Sequence, residues 1–576
     1  MEIIKRKKTN DAHPYIPELK DLYQRGRITR REFLRNATLL GMSFAGASAF
    51  LTACGATEEP TAAPTQAPAA TEAPAPTEAP AAGGPVRGGT LRMASEVQKV
   101  THPAQFSWVA PSNQLRQVAE YLTLTDGHNI THPYLLENWE TSEDLMTWTL
   151  NLRQGIMFNN GDEFNADDVI FTMNEWLNED VGSSMLGFIG GYLSAENIER
   201  VDDYTVRLHL SQAEIGVPEH LFHYPALILN HRTFEGDFLK APHGTGPYTL
   251  EQFSEGERVL LKRREDYWQM GEDDQPLPYL DEMEFINMGQ EASAWIAAIQ
   301  GGEVDYLDTG DFAPPDMYLA LKDADGITVN GLPTAVTRVL RMRVDLDPWT
   351  DNNVRMALKL CQNREKILSL AFFGEGAEGQ DFHVYPFHPE YCEKPIPAYD
   401  PERAKQLLAD AGYPNGIDIT MAVGSGWPDV VSYAEVLKED AAAAGFNITL
   451  NTMPNSQYWE QWTEVDLGIT PWTHRPLGTM VLNLAYVADD QGTPVPWNET
   501  RWVDPEFSEL LTQANGTVDL EARREIFCQL EQIQAERGSI GIAYWMNIWQ
   551  IHRNEMHGAE PHPTQYMLFN NVWKEA

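Results

Sequence analysis

Apolar and polar residues alternate over several short stretches of this chain, a pattern that predicts half-buried β-strands. The alternation is strict over Thr147–Arg153 and over Tyr204–Leu210. Two further stretches, Tyr248–Phe253 and Val259–Lys262, flank a turn at Glu255-Gly256 and predict a hairpin. The chain therefore contains a substantial β component.

Helix start and stop signals lie between these strands. After a predicted strand and turn over Gly155–Phe164, Asn165 is followed by acidic residues, as is typical of a helix N-cap. Further helices are predicted over Asp400–Gly412, Tyr433–Ala444 and Glu521–Arg537. Strands and helices interleave without an internal repeat of about 20–50 residues, which argues against a solenoid or a propeller. The predicted fold class is α/β, in more than one lobe.

The first 86 residues predict a targeting signal followed by a linker. Arg30 and Arg31 precede an apolar stretch rich in Gly, Ala and Ser, which ends in Leu-Thr-Ala before Cys54. These features resemble a twin-arginine export signal and a bacterial lipobox, so we expect a signal peptide over 1–53 and a diacylglycerol on the Cys54 thiol. The alternative is one uncleaved transmembrane helix. Residues 54–86 are rich in Pro, Ala and Thr and predict a disordered spacer.

Both alternatives tether the body outside the bacterial cytoplasmic membrane, in the periplasm or at the cell surface. The chain has 576 residues, with 84 Asp+Glu against 42 Lys+Arg and a formal charge of −42. Such acidity argues against nucleic-acid partners and against binding of anionic lipid through a polybasic segment.

Besides Cys54, the cysteines are Cys361, Cys392 and Cys528. We expect three buried thiols or at most one bridge, for which their separation favours Cys361–Cys392.

Sequence motifs of the common enzyme classes are absent from the chain. There is no G-x-S-x-G, P-loop or H-E-x-x-H string. His383, His388 and Cys392 lie within ten residues, but their irregular spacing and the prolines around them argue for incidental loop residues. We therefore predict no catalytic residue, no cofactor and no metal site. A secreted carbohydrate or peptide hydrolase with paired carboxylates is the alternative from a different class.

From Arg87 onward, ordered segments resemble one protein family. RGGTL opens the body, and WETSEDLMTWTLNLRQGIMFNNGDEFNADDVIFTMN (139–174), GTGPYTLEQFSEGERVLLKRREDYW (244–268) and YDPERAKQLLADAGYPNG (399–416) follow. In this order they resemble the extracytoplasmic solute-binding proteins of ABC importers, in the peptide/nickel group called family 5. The resemblance extends over essentially the whole of 87–576.

The resemblance implies a two-lobed fold of the periplasmic-binding-protein type II, or Venus-flytrap, kind. Lobe 1 would comprise residues 87–124, 196–335 and 546–576, and lobe 2 residues 336–545. A small extra domain, residues 125–195, would be inserted in the first lobe. By the same resemblance, a monomer would capture an oligopeptide-like or other small solute between the lobes and deliver it to an ABC permease and its ATPase. An oligosaccharide receptor and a signalling receptor of the same fold are the alternatives.

One departure from the family pattern concerns the ligand. Peptide binders of this family place an Asp three residues after a Trp, where it receives the peptide's α-ammonium. The matching string here is Trp472-Thr473-His474-Arg475, so a guanidinium replaces the acid. It would repel an ammonium and favour a carboxylate, a phosphate or polyol oxygens. The alternatives are that the alignment slips or that Arg475 pairs with Asp466 or Asp489.

The candidate ligand-binding residues are therefore Trp472, Thr473, His474 and Arg475 from lobe 2, together with residues that the resemblance places at the cleft, namely Ser107, Trp108, Val109 and Trp545. We expect a modified or acidic oligopeptide-like solute first, then an oligosaccharide, then a metal–chelate complex. Tryptophans are frequent near the C-terminus: Trp459, Trp462, Trp472, Trp497, Trp502, Trp545 and Trp549. Their flat faces can stack on rings, although packing in a core is the commoner role of such a side chain.

Overall fold

The computed structural model describes residues 84–106, 109–289, 291–309, 315–489 and 491–575. Arg30, Arg31, Cys54 and the first part of the spacer lie outside the described residues, as do Ser107 and Trp108. Within the described ranges, the helices are too short or too polar to cross a membrane.

Strands and helices alternate along the described chain, as predicted. The strands are β1 (Thr90–Ser95), β2 (Thr123–Thr125), β3 (Thr131–Pro133), β4 (Leu136–Thr141), β5 (Thr147–Leu152), β6 (Ile198–Asp202), β7 (Thr205–His209), β8 (Tyr248–Ser254), β9 (Arg258–Arg263), β10 (Glu282–Asn287), β11 (Tyr306–Leu307), β12 (Ile327–Met342), β13 (Gly376–Glu378), β14 (Ile417–Gly424), β15 (Phe446–Met453), β16 (Leu467–Trp472), β17 (Ile540–Arg553), β18 (Met556–His557) and β19 (Trp573–Lys574). The α-helices are α1 (Val109–Leu115), α2 (Ala166–Leu177), α3 (Ser184–Ile189), α4 (Val217–His220), α5 (Ala292–Gly301), α6 (Pro315–Leu321), α7 (Asn352–Leu360), α8 (Arg364–Phe372), α9 (Pro401–Asp410), α10 (Pro428–Ala442), α11 (Asn455–Gln461), α12 (Gly478–Ala485), α13 (Pro505–Asn515) and α14 (Leu520–Arg537).

The fold is α/β and two-lobed, and one sheet of eleven strands runs through both lobes. Its order is β15-β14-β16-β12-β17-β11-β1-β10-β9-β8, and β13 also pairs with β17. The first lobe is built on β1 and β8 to β11, and the second on β14 to β16. The long strands β12 and β17 belong to both lobes: one half of their ladder pairs 327–333 with 547–553, and the other pairs 337–341 with 540–545. The register shifts between Pro333 and Thr337.

A separate four-stranded antiparallel sheet has the order β4-β5-β7-β6 and lies where the inserted domain is predicted. Helix α2 lies after β5 and begins as predicted, because Asn165 accepts from the Asp167 amide while Asp168 accepts from the Asn165 amide. Because β7 pairs with β5 and β6 pairs with β7, this sheet continues to His209, beyond the boundary at 195 predicted from the sequence.

Several local predictions are confirmed. Strands β5 and β7 and the β8–β9 hairpin lie where alternation placed them, and the helices predicted near 400 and 521 are α9 and α14. Helix α10 begins at Pro428, five residues before the predicted start. The strand predicted within 155–164 is reduced to one bridge between Met157 and Glu163, because a turn occupies most of the segment.

One disulfide forms, within the limit of one that the sequence set, but the favoured pairing and the three buried thiols are wrong. Cys392 and Cys528 form the disulfide, with 5.1 Å between their Cα atoms, and Cys361 is the free, buried thiol. Cys361 closes helix α7 and donates to the carbonyl oxygen of Ala357 inside a hydrophobic core. Cys392 lies instead in a loop against α14, where its amide donates to the Glu531 carboxyl. Sequence separation favoured the nearer pair, but packing of the loop on α14 decides the partner.

Candidate functional site

A cavity of about 450 Å³ lies between the two lobes. The first lobe contributes Val109, Phe222 and Tyr224 to its wall, and the C-terminal segment adds Gln565 and Tyr566. The second lobe contributes the end of β16 and the residues that follow it. Concave sites of this size hold small molecules in many proteins, so this cavity is the candidate ligand site.

The residues predicted at the end of β16 all line this cavity. Trp472 is the last residue of the strand, and Thr473, His474 and Arg475 follow it directly. Val109, at the start of α1, lines the same cavity from the first lobe. Their part in ligand binding stays a prediction.

Trp545 is placed elsewhere. It is 1% exposed, contacts His383 and Tyr385 in the core of lobe 2, and is not part of the cavity wall. The residues that follow it on β17, Met546, Asn547 and Ile548, line the cavity instead. The expectation that Trp545 faces the cleft is therefore wrong by one residue.

Arg475 is buried without a counter-charge. Its side chain is 6% exposed, and Nη1 donates to Thr473 Oγ1 at 2.7 Å and to the His474 carbonyl oxygen at 3.0 Å. Its guanidinium lies 5.6 Å from the ring of Phe188, across the lobes. Among the described residues, Asp466 and Asp489 included, no carboxylate comes within ion-pair distance of it. A buried charge of this kind costs free energy until an anion meets it.

His223 lies near Arg475 and contributes no negative charge to this part of the cavity. Burial, and then the charge of Arg475, lower the pKa of His223 well below its usual value. Nε2 of His223 and Nε of Arg475 have no hydrogen-bond partner within the described ranges. This part of the cavity is therefore electropositive and holds unsatisfied polar atoms.

His474 connects the two lobes beside the cavity. Its Nδ1 accepts from the amide of Ala335 at 3.0 Å, so its Nε2 carries the proton and donates to Asn129 Oδ1 at 2.9 Å. Burial lowers the pKa of His474 well below its usual value, which keeps the ring neutral. The neutral tautomer is thus fixed by one bond within lobe 2 and one bond to the first lobe.

Trp472 is held from behind by a buried carboxyl group. Its Nε1 donates to Glu499 Oε1 at 2.9 Å, and Thr470 donates to the other oxygen of Glu499. Arg341 lies 3.4 Å from the same carboxyl. These contacts orient the indole ring before any ligand arrives.

Four more tryptophans line the cavity: Trp427, Trp459, Trp462 and Trp497. Three of them were in the tryptophan-rich segment noted from the sequence, whereas Trp427 was missed because it is isolated in the sequence. Trp502 and Trp549 are core residues like Trp545. Within this segment the cavity residues, Trp459 to Trp497, precede the core residues, Trp502 to Trp549.

Two other charged residues reach the cavity wall. Arg338 pairs with Asp429 at 2.5 Å, so its charge is compensated within the protein. Glu219 lines the cavity from the first lobe, and burial raises its pKa to about 7. Of the two arginines in the wall, Arg475 is thus the one that lacks a carboxylate partner among the described residues.

His383, His388 and Cys392 have separate structural roles. His383 shares a hydrogen bond with Tyr486, while His388 accepts from the Tyr385 amide and donates to the carbonyl oxygen of Arg475. Cys392 is in the disulfide. Within the part of the chain that the structure describes, no three His, Cys, Asp or Glu side chains converge as metal ligands.

Comparison with known proteins places the chain among receptors. Residues 131–491 match the family model described as bacterial extracellular solute-binding proteins, family 5 Middle. The chain is 26% identical over 475 residues to the dipeptide-binding protein of Escherichia coli strain K12, which covers 76% of this chain and 85% of that protein.

Solved structures share the fold at lower identity. The structure of a periplasmic binding protein from A. tumefaciens R10 in complex with agropinic acid gives a TM-score of 0.73 at 20% identity, covering 85% of this chain and 99% of that one. A periplasmic binding protein from Helicobacter pylori in complex with the peptide STSA gives 0.72 at 21% identity, with the same coverage.

Proposed function

Because the chain belongs to the bacterial extracellular solute-binding proteins of family 5, we propose that it captures a small anionic solute between its lobes and delivers it to the membrane permease of an ABC importer. Proteins of this family are transport receptors and not enzymes. The solute is bound and released without covalent change, and ATP hydrolysis belongs to the partner subunits.

The buried, uncompensated charge of Arg475 is the observation that carries this proposal. A guanidinium presents a planar array of donors that matches a carboxylate or a phosphate, and burial strengthens the attraction. At the same position, a free α-ammonium would meet repulsion. An acidic or N-terminally modified peptide-like solute therefore suits the site better than an ordinary peptide with a free amino terminus.

Closure of the lobes provides the mechanism. A solute that contacts Arg475 on one side and Tyr224 or Gln565 on the other gains both sets of contacts only when the lobes are together, so it shifts the population toward the closed form. The register shift between Pro333 and Thr337 supports a hinge in β12, and the His474–Asn129 hydrogen bond supports a closed state that forms beside the ligand. The permease would recognise that closed shape.

The oligosaccharide alternative rests on the tryptophans of the cavity, because indole rings stack on sugar rings. The uncompensated charge of Arg475 favours the anion over a neutral sugar.

A thermal-shift series tests the proposal. An N-acetylated dipeptide, the same dipeptide with a free amine, cellobiose and a nickel–histidine chelate are titrated separately, and a bound compound raises the midpoint with its concentration. We expect the acetylated dipeptide to stabilise the protein more than its free-amine partner. Stabilisation by the free-amine dipeptide alone would contradict the role given to Arg475. Stimulation of a reconstituted permease ATPase by the loaded receptor tests delivery.

The export signal and lipid anchor are separate proposals. We expect the protein in the membrane fraction of a bacterial host, with Cys54 as its lipidated N-terminal residue. Cys54→Ser should release the body from the membrane without changing ligand affinity, because the spacer separates the anchor from the cavity. Membrane retention of the Cys54→Ser variant would contradict the lipobox assignment.

A further inference from the structure

Five tryptophan rings form a continuous row along the lobe 2 wall of the cavity. Their centroids are 5.4 Å apart for Trp427–Trp459, 5.5 Å for Trp459–Trp462, 5.9 Å for Trp462–Trp497 and 5.9 Å for Trp497–Trp472. Each pair meets edge to face, with interplanar angles between 71° and 88°. We call these five residues the tryptophan row.

The tryptophan row keeps apolar surface uncovered. Trp472 is 4% exposed, whereas Trp497 is 37% exposed and the other three are partly exposed. Several exposed aromatic rings side by side inside a cavity are typical of a ligand contact. The spacing of Trp459 and Trp462 by three residues places both on one side of α11 and its C-terminal end.

Polar groups at the Trp472 end of the row are already engaged within the protein. Trp472 Nε1 and Thr470 Oγ1 both donate to Glu499, and Arg338 pairs with Asp429. A sugar stacked on these rings would need partners for its ring hydroxyls, and these groups are not free to supply them. The row therefore suits an apolar planar group better than a polyhydroxylated ring.

The row also ends beside the uncompensated charge. Its last member, Trp472, lies three residues before Arg475 on the same segment, and both line the cavity. An ammonium held by the aromatic rings would therefore meet the repulsion of Arg475 in the same enclosed space.

We propose that the solute is an anion that carries a planar apolar ring, with its ring on the tryptophan row and its carboxylate or equivalent group at Arg475. This inference rests on the proposed function, since it names the class of solute that the same cavity would receive. A molecule of the size of an aryl carboxylate fits a cavity of about 450 Å³.

Isothermal titration with four probes tests this proposal: 3-phenylpropionate has both groups, hexanoate has the anion alone, phenethylamine has the ring with a positive charge, and cellobiose has sugar rings without charge. We expect 3-phenylpropionate to bind about tenfold more tightly than hexanoate, because ring contacts of this kind change affinity by about that factor. Phenethylamine and cellobiose should bind more weakly than both anions.

Variants separate the two parts of the site. Trp462→Leu and Trp497→Leu should lower the affinity for 3-phenylpropionate about tenfold and leave that for hexanoate within about twofold. Trp573→Leu is the matched control, since this partly exposed ring stacks on His557 away from the cavity. Circular dichroism and the thermal midpoint of each variant establish that it is folded.

Each outcome supports or overturns the ring contact, the anion site or both. Equal affinity for the two anions, lost equally in Arg475→Gln, would overturn the ring assignment and leave the anion receptor standing. Tighter binding of cellobiose or phenethylamine would overturn both the anion and the aryl carboxylate. Absence of binding by both anions at millimolar concentration would likewise overturn both.

Discussion

Replacing Arg475 by glutamine removes the buried positive charge from the cavity wall. A charge-assisted hydrogen bond to an anion contributes about 1.5–3 kcal/mol, so the dissociation constants of 3-phenylpropionate and hexanoate should rise by about ten- to hundredfold. Phenethylamine should lose nothing, because the repulsion that opposes it is removed.

The free protein should respond differently. Since Arg475 has no carboxylate partner among the described residues, its replacement breaks no ion pair and relieves the cost of a buried charge. The loss of its hydrogen bonds to Thr473 and His474 costs about 1–3 kcal/mol, which the relief of the buried charge offsets. We expect the unliganded melting temperature to change by no more than about 2 °C.

Arg364→Gln is the matched control for this experiment. Arg364 is equally buried, but it pairs with Asp381 at 2.6 Å and lies outside the cavity. Its replacement strands a buried carboxylate and should cost about 3–5 kcal/mol of stability without selective loss of anion affinity. Scanning calorimetry and titration are run on both variants. If Arg475→Gln destabilised the free protein as much as the control, or bound both anions like the wild type, Arg475 would be a structural residue and the reasoning would fail.

Three further predictions concern the surroundings of the cavity and the core. Asn129→Ala removes the acceptor of the hydrogen bond from His474 across the lobes, so binding of 3-phenylpropionate, measured by titration, should weaken about two- to tenfold. Unchanged affinity would contradict a role for this hydrogen bond in closure. Burial raises the pKa of Glu531 from 4.5 to about 9, so the folded state favours the neutral carboxyl, and the stability it contributes is lost as pH rises through this range. Glu531→Gln should therefore melt progressively higher relative to the wild type between pH 5 and pH 9, and a constant difference would refute the assignment. A non-reducing peptide map should recover Cys392 linked to Cys528, and Cys528→Ser should lower the melting temperature because it opens a long loop; a map that shows another pairing would contradict the structure.

Local patterns predicted the elements whose signals are local. The β8–β9 hairpin follows from alternation on both sides of one turn, and α2 follows from the Asn165 cap and its acids. Strand β12 was not predicted, because Gly331 and Pro333 interrupt its pattern and its partners lie some two hundred residues away on β17. Its length depends on pairing that no local signal encodes.

The site residues also fall into those that local sequence identified and those that it did not. The segment from Trp472 to Arg475 was identified because a family motif surrounds it and one residue departs from that motif. Trp427 was missed since its role depends on where α10 and α11 meet in space, and Trp545 was misplaced because the side of β17 that faces the cavity depends on a register that the sequence alone does not reveal. Disulfide choice failed for the same reason: proximity in the chain did not match proximity in the fold.

The shared ladder of β12 and β17 has a consequence for how the protein unfolds. One part of this ladder belongs to one lobe and the other part to the second lobe, and the same two continuous strands carry both parts. If either lobe loses its order, the strands that edge the remaining lobe lose their anchorage at one end. Heat or denaturant should therefore unfold both lobes in a single cooperative step.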